Sequence, residues 1–206
     1  MVGNEVPGLA MRGGRAAHVT ALNAGNSGDF IESRYTAAGM VASVTDQNGT
    51  THTYTYDDLG RMVRDGVTAV GTGIDDAVLA IATTLDDLGR VSGKTTYDAA
   101  TGGNVVNDVK YWYDGWGNVT RIYQAHDGAV DDDGQGTDTP MVKFEYDDGA
   151  VGNVAKYVRL WRVTYPNGRE VYYNYADAQS DPIGAALSRL DNVADSVSGT
   201  NAFVRY

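Results

Sequence analysis

The sequence predicts an all-β protein built from successive antiparallel β-hairpins. Three observations lead to this prediction: a composition rich in turn formers and tyrosine, runs in which residue character alternates, and turn sequences that recur along the chain. The 206 residues include 26 Gly and 14 Tyr, and Asp far outnumbers Glu. Asp and Gly favour turns and Tyr favours strands, so the composition alone indicates β-structure.

A large apolar or aromatic residue closes an alternating run at a nearly constant interval. These anchor residues are Tyr56, Leu85, Tyr113, Tyr146 and Tyr175, which lie 29, 28, 33 and 29 residues apart. A period of two residues is that of a β-strand, whose successive side chains point to opposite faces. The pattern therefore predicts a repeat of strands with insertions. The clearest alternating runs cover residues 51–56, 108–113, 141–146 and 170–175.

The anchors are followed by a sequence whose residues favour a tight turn, as in YDDLGR (56–61), LDDLGR (85–90) and YDGWGN (113–118). Asp at the first position of a type I turn accepts hydrogen bonds from the backbone two residues on, and Gly at the fourth adopts a left-handed conformation that forms a bulge. The polar residue after the Gly can pair with the Asp, an exposed interaction that contributes under about 1 kcal/mol. The predicted structural turn residues are Tyr56, Asp57, Gly60, Arg61, Leu85, Asp86, Gly89, Arg90, Tyr113, Asp114, Gly117, Asn118, Tyr146 and Asp147.

Other reversals are predicted to form a second class of hairpin turn. They are TDQNGT (45–50), TYDAATGGN (96–104) and YPNGR (165–169), so each repeat contributes two strands and two reversals. Residues 181–190 have two interpretations. They could form a short helix capped by Asp181. They could also form a loop, because VADSVSGT (193–200) has the same pattern of residue types as VTDQNGT (44–50). We favour the loop.

Composition and charge exclude several classes of function. A net charge of −11 without a local Lys/Arg cluster repels a phosphate backbone, so nucleic acid is not expected as a partner. The absence of Cys excludes disulfides, thiol nucleophiles and zinc–thiolate sites. No signal peptide is recognisable in this chain, and its longest apolar run, residues 77–82, is too short to span a bilayer.

The acidic residues suggest two kinds of site. Paired carboxylates are typical of glycosidases, but the pairs at 57–58, 75–76 and 86–87 are adjacent in sequence, so on strands they point to opposite faces and in turns they have a structural role. No catalytic residue is therefore predicted. The segment DGAVDDDGQGTD (127–138) is the best calcium candidate, but EF-hand alignment places Ala129 at the first ligand position and no Glu at the twelfth. A solvated hairpin loop is favoured, and neither metal nor cofactor is predicted.

The three tryptophans, Trp112, Trp116 and Trp161, raise the possibility of an aromatic platform for a sugar. Trp116 occupies the turn position that Leu59 and Leu88 hold elsewhere. We predict that the Trp116 side chain packs onto the neighbouring turn.

The recurring motif resembles the YD repeats of the Rhs family. The matching stretches are YDDLGRM (56–62), LDDLGRV (85–91) and YDGWGNV (113–119), and the resemblance covers residues 35–206, after a weakly defined segment at 1–34. The family includes bacterial polymorphic toxins, the C component of insecticidal toxin complexes and teneurins. The resemblance implies that the hairpins form a curved or spiralling sheet, and in the bacterial toxins a hollow shell that encloses a C-terminal polypeptide.

This resemblance implies a structural function without catalysis, within a longer protein that is secreted or displayed at a cell surface. The implied partners are further repeats and a C-terminal domain of the parent chain, because the sequence stops where another Tyr-Asp pair is expected. An extracellular module that binds carbohydrate or a cell-surface protein is the alternative. A hydrolase that uses Asp is the third interpretation.

Overall fold

A computed structural model describes residues 10–12, 15–21, 30–134, 138–147, 156–196 and 201–205. Within these ranges the chain forms fifteen β-strands and one short helix, and no helix is both long and apolar enough to cross a membrane. The prediction of an all-β protein made of successive antiparallel hairpins is confirmed. The boundary between residues 34 and 35 stays a prediction, and much of segment 1–34 lies outside the described residues.

The chain divides into two compact units, and the first comprises residues 1–108 and 126–129. Its strands pair antiparallel in chain order, each with the next. They are β1 (Ala10–Arg12), β2 (Arg15–Ala21), β3 (Phe30–Tyr35), β4 (Val41–Thr45), β5 (Thr51–Tyr56), β6 (Met62–Ala69), β7 (Ala80–Leu85), β8 (Val91–Tyr97) and the first residues of β9 (Val105–Tyr113).

The second unit comprises residues 109–125 and 130–206. Its strands also pair antiparallel in chain order from β10 to β15. Besides the rest of β9, the elements are β10 (Val119–His126), β11 (Met141–Asp147), β12 (Lys156–Thr164), β13 (Glu170–Tyr175), α1 (Pro182–Ala186), β14 (Leu190–Ala194) and β15 (Ala202–Arg205).

A register shift marks the same place in successive hairpins of the first unit. Tyr56 pairs with Met62, and the ladder shifts by one residue between Thr55 and Tyr56. The equivalent shift precedes the pair formed by Leu85 and Val91. Each shift is a β-bulge directly beside a reversal, as a left-handed Gly at the end of a turn produces.

The sheet does not bury large side chains completely. Among the described residues no large side chain is fully buried, and the buried apolar positions hold small or medium residues apart from one tyrosine. Most strand side chains are only half-buried. Backbone pairing and contacts between loops and strands must therefore carry much of the stability. The buried apolar residues are Ala80, Tyr123, Val130, Val163, Val171 and Ala194.

The loop at residues 98–104 folds back over one face of the sheet in the first unit. The guanidinium of Arg64 on β6 donates from Nε to the carbonyl of Ala100 at 2.9 Å and lies 4.5 Å from the centroid of the Tyr97 ring. A Cβ on Gly66 would stand 2.8 Å from the carbonyl oxygen of Ala100, so only glycine lets the loop approach this closely. The loop that follows β8 therefore contacts β6, which is two strands away in the sheet.

The interpretation of residues 181–190 as a loop is wrong, because Pro182–Ala186 form a helix. Oδ1 of Asp181 accepts a hydrogen bond from the amide of Gly184 at 2.9 Å, and Pro182 occupies the first turn. An N-cap and a proline in the first turn are local signals for a helix start. These signals outweigh the distant likeness to another turn on which the loop interpretation depended.

Candidate functional site: the repeat turns

Three reversals of the predicted repeat share one backbone geometry. At residues 57–60 the amide of Gly60 donates to the carbonyl of Asp57 at 2.9 Å, and the amide of Asp57 donates to the carbonyl of Arg61 at 3.0 Å. Gly60 has a φ of +78°, in the left-handed region that favours glycine. The same two bonds and a positive φ at the glycine recur in the reversals 86–89 and 114–117.

The carboxylate of the first turn residue binds the amides that face it. Oδ1 of Asp57 accepts from the amide of Leu59 at 3.0 Å and from the amide of Arg61 at 2.9 Å, and Oδ2 accepts from Nε of Arg61 at 2.7 Å. We call this set of three hydrogen bonds the aspartate clamp. The same clamp forms between Asp86 and the pair Leu88 and Arg90, and between Asp114 and the pair Trp116 and Asn118.

The clamp lowers the pKa of the carboxylate that forms it. At Asp57 the backbone hydrogen bond from Arg61 is the largest cause, and it brings the pKa below the ordinary value. At Asp86 desolvation acts to raise the pKa, but the hydrogen bonds from Arg90 and Leu88 together outweigh it and lower the pKa. Donors aimed at the ionised form stabilise that form, so each clamp favours a charged aspartate.

The predicted second class of turn is not a separate class. The reversal 46–49 has the backbone bonds of the first class, and Oδ1 of Asp46 accepts from the amides of Asn48 and Thr50, both at 2.9 Å. The reversal 165–168 has the same backbone bonds but begins with Tyr165, whose side chain cannot accept as a carboxylate does. Only the reversal at 98–104 is longer, and there Asp98 pairs with Asn104.

Successive turns of the first unit also contact one another through the glycine. A Cβ on Gly89 would stand 2.5 Å from Nη1 of Arg61, the residue that follows the glycine of the preceding turn. A Cβ on Gly60 would likewise contact Sδ of Met40 at 3.5 Å, and Met40 follows Gly39, the glycine of the reversal two places earlier in the chain. In these two cases the residue after one turn glycine lies against the glycine of a later turn.

The anchor tyrosines reach back across the sheet to a backbone carbonyl. Oη of Tyr56 donates to the carbonyl of Val41 at 2.8 Å, and Oη of Tyr175 donates to the carbonyl of Leu160 at 2.7 Å. Both acceptors lie 15 residues upstream. Tyr146 makes the equivalent bond to Val119 at 3.1 Å, across a longer insertion. Sequence reasoning missed these bonds. The recurrence of Tyr rather than Phe at the anchor positions was a signal that the hydroxyl group makes a hydrogen bond.

These turns and anchors coincide with a known repeat. Residues 35–71 match the family model described as RHS Repeat. This segment therefore resembles an RHS repeat. The matched segment holds the reversals 36–39, 46–49 and 57–60 and the anchor Tyr56, so the predicted resemblance to the Rhs family is confirmed there.

Solved structures that resemble the chain come from toxin complexes. The Photorhabdus luminescens Tc holotoxin pore aligns with a TM-score of 0.35 at 14% identity, covering 92% of this chain and 11% of that chain. TcdB2–TccC3 without its hypervariable C-terminal region aligns with a TM-score of 0.37 at 14% identity and the same coverage. This chain thus spans 11% of the length of those chains. No curated protein sequence matches it.

The later anchors lie outside the segment that matches the RHS repeat. Tyr113 ends β9 and Asp114 opens the clamped reversal after it. Tyr146 and Asp147 end β11, and the reversal that follows them at 148–155 lies outside the described residues. The carboxylate of Asp147, which is buried, pairs with the guanidinium of Arg159 on β12.

The third residue of these turns is exposed. Leu59 is 79% exposed, Leu88 is 78% exposed and Trp116 is 67% exposed, so most of each side chain faces solvent. The clamp explains this outcome, because it directs the backbone amide of this residue inward to the carboxylate. The turns at 57–60 and 86–89 also touch through Gly89 and Arg61.

The acidic segment 127–138 brings three carboxylates together in the second unit. Oxygens of Asp131, Asp133 and Asp138 lie within 4.8 Å of one another, and all three residues are exposed. Calcium in proteins takes six to eight oxygen ligands, of which these residues could supply three. The neighbouring Asp132 has a structural role, because its carboxylate accepts from Nζ of Lys110 at 2.9 Å and from Nε1 of Trp112 at 3.2 Å.

One side-chain hydrogen bond within residues 35–71 was missed by sequence reasoning. Nδ1 of His52 on β5 lies 2.8 Å from Oδ1 of Asp65 on β6. The two residues lie on one face because Tyr54 is the direct partner of Asp65 in the ladder. The pair can be recognised only when the register between β5 and β6 is known.

Acid is expected to remove the stability that the clamps contribute. The folded pKa values of Asp57 and Asp86 are lowered, so their contribution is present above the unfolded pKa of about 3.9 and is lost as the pH falls through the folded values. We expect the double variant Asp57→Asn, Asp86→Asn to lose less stability than the wild type between about pH 5 and pH 2 in urea unfolding.

The matched control is the double variant Asp58→Asn, Asp87→Asn. It removes two negative charges from the next turn position, where both residues are exposed, and leaves the clamps intact. This control should keep the acid sensitivity of the wild type. If the clamp variant also keeps it, the clamps do not link folding to protonation.

Loss of an anchor hydroxyl should cost one hydrogen bond. We expect Tyr56→Phe to lower the free energy of unfolding by about 0.5–1.5 kcal/mol, because the carbonyl of Val41 loses its donor. Tyr54→Phe is the control, since the described residues offer its hydroxyl no hydrogen-bond partner, and it should change stability by less than about 0.5 kcal/mol. Equal losses in the two variants, measured by denaturant unfolding, would contradict the assignment.

Proposed function

We propose that this chain is a structural segment of an Rhs-type β-shell within a longer protein, and that the shell encloses or displays a C-terminal polypeptide. The observation that carries the proposal is the match of residues 35–71 to the RHS repeat, together with the same clamped reversal at 86–89 and 114–117. A hairpin unit that recurs in this way can be extended indefinitely, as a shell wall requires.

A structural role also accounts for the acidic residues that suggested a hydrolase. Asp57, Asp86 and Asp114 bind turn amides, and Asp132 binds a lysine and an indole. A carboxylate that is held by several donors has a lowered pKa and is a poor proton donor near neutral pH. The proposed function therefore includes no catalysis by this chain.

The partners in this proposal are further repeats and a C-terminal domain of the parent protein, which is secreted or displayed at a cell surface. The order of the strands supports the first partner, because strands β10 to β15 pair antiparallel in chain order, an arrangement that further hairpins can continue. The net charge of −11 supports a partner other than nucleic acid.

Saccharide binding at a cell surface is the second candidate function. The observation that favours it is the exposure of Trp112, at 46%, with its indole nitrogen bonded to Asp132, an arrangement that holds an aromatic ring open to solvent. Retention of the chain on a glycan array, lost in Trp112→Ala and kept in Trp161→Ala, would support this function. An array without retention would remove it.

Protease protection in the full-length parent protein tests the shell directly. A protease site placed in the exposed loop at residues 72–78 serves as the accessible reference, and the same site is placed in the C-terminal polypeptide. If the polypeptide is enclosed, its site should be cut far more slowly than the reference, and at an equal rate after denaturation. Equal rates in the native protein would contradict enclosure.

A further inference from the structure

The two Asn-Gly pairs of the chain, Asn48-Gly49 and Asn167-Gly168, occupy the same position in two reversals of the same backbone class. In both, the amide of the glycine donates to the carbonyl of the first turn residue, at 3.1 Å and 2.9 Å. Both asparagines are exposed. The chemistry around the two side-chain amides nevertheless differs.

The side chain of Asn48 is held through its nitrogen. Nδ2 donates to the carbonyl of Thr72 at 3.3 Å, and Gly71 packs so closely that a Cβ there would stand 2.4 Å from this atom. The backbone around Asn48 is fixed as well, because Oδ1 of Asp46 binds the amides of Asn48 and Thr50. Any rearrangement of Asn48 must break these bonds.

The side chain of Asn167 is held through its oxygen. Oδ1 accepts from the amide of Arg169 at 3.0 Å, and the turn begins with Tyr165, which supplies no carboxylate. A donor on this oxygen stabilises the negative charge that develops there when a nucleophile attacks the side-chain carbonyl. The reversal thus leaves the amide nitrogen of Asn167 able to depart and places a donor on the atom that becomes anionic.

We propose that Asn167 is a site of spontaneous deamidation and that the hydrogen bonds made by Asp46 and by the carbonyl of Thr72 protect Asn48 from the same reaction. The backbone nitrogen of Gly168 bonds to Cγ of Asn167, the bond from Cγ to Nδ2 breaks, and ammonia leaves with the proton from Gly168. Water then opens the five-membered imide at either carbonyl and gives aspartate or isoaspartate. The product carries one more negative charge, and the isoaspartate form adds an atom to the backbone of the reversal between β12 and β13.

Peptide mass spectrometry after incubation of the folded chain at mildly alkaline pH tests the proposal. We expect Asn167 to deamidate at least roughly tenfold faster than Asn48, since one or two additional hydrogen bonds must break at Asn48. In the urea-unfolded chain the two rates should be similar. Equal rates in the folded chain, or the same ratio in the unfolded chain, would overturn the proposal.

Two reciprocal variants test whether a carboxylate at the first turn position controls the rate of deamidation. Tyr165→Asp supplies a carboxylate at the start of the reversal, which should compete for the amide of Arg169 and slow deamidation of Asn167. Asp46→Ala removes the two hydrogen bonds that Asp46 accepts and should accelerate deamidation of Asn48. Far-ultraviolet circular dichroism checks that both variants fold. If a folded Tyr165→Asp variant deamidates at the wild-type rate, the assignment to turn geometry is wrong.

Discussion

The hydrogen bonds that two backbone amides donate to one aspartate oxygen are the constraint on which the hairpins turning at 46–49, 57–60, 86–89 and 114–117 depend. Oδ1 of Asp57 fixes the amides of Leu59 and Arg61, and Gly60 completes the reversal in a left-handed conformation. The bulge that results sets the register of the strand that follows. A shift of one residue would exchange the two faces of that strand, so the turn determines which side chains meet across the sheet.

Register in turn explains the contacts of longer range. It places the hydroxyl of Tyr56 beside the carbonyl of Val41, and it places the residue after one turn glycine against the glycine of a later turn. Because no large side chain among the described residues is fully buried, such contacts between neighbouring hairpins carry energy that a globular domain would obtain from its core. Stability of this kind is distributed along the chain, as in other repeat proteins.

The sequence predicted the features whose causes are local. The strands follow from an alternation over six residues, and the clamped reversals follow from the preference of Asp and Gly for the first and fourth positions of a turn, three residues apart. The contact of Arg64 with the loop at 98–104 could not be predicted, because it joins residues 36 positions apart through the folded register. The pairing of His52 with Asp65 was missed for the same reason. The helix at Pro182–Ala186 had local signals, and the error there came from giving more weight to a distant likeness.

The same few residues form the reversal, set the register and connect one hairpin to another. This combination supports a structural role for them. Amide hydrogen exchange measured by nuclear magnetic resonance tests the central claim most directly. If the clamp exists in solution, the amides of Leu59 and Arg61 exchange much more slowly than that of Asp58, although all three residues belong to one exposed reversal. Exchange of the three amides at the rate of an unstructured peptide would contradict the account.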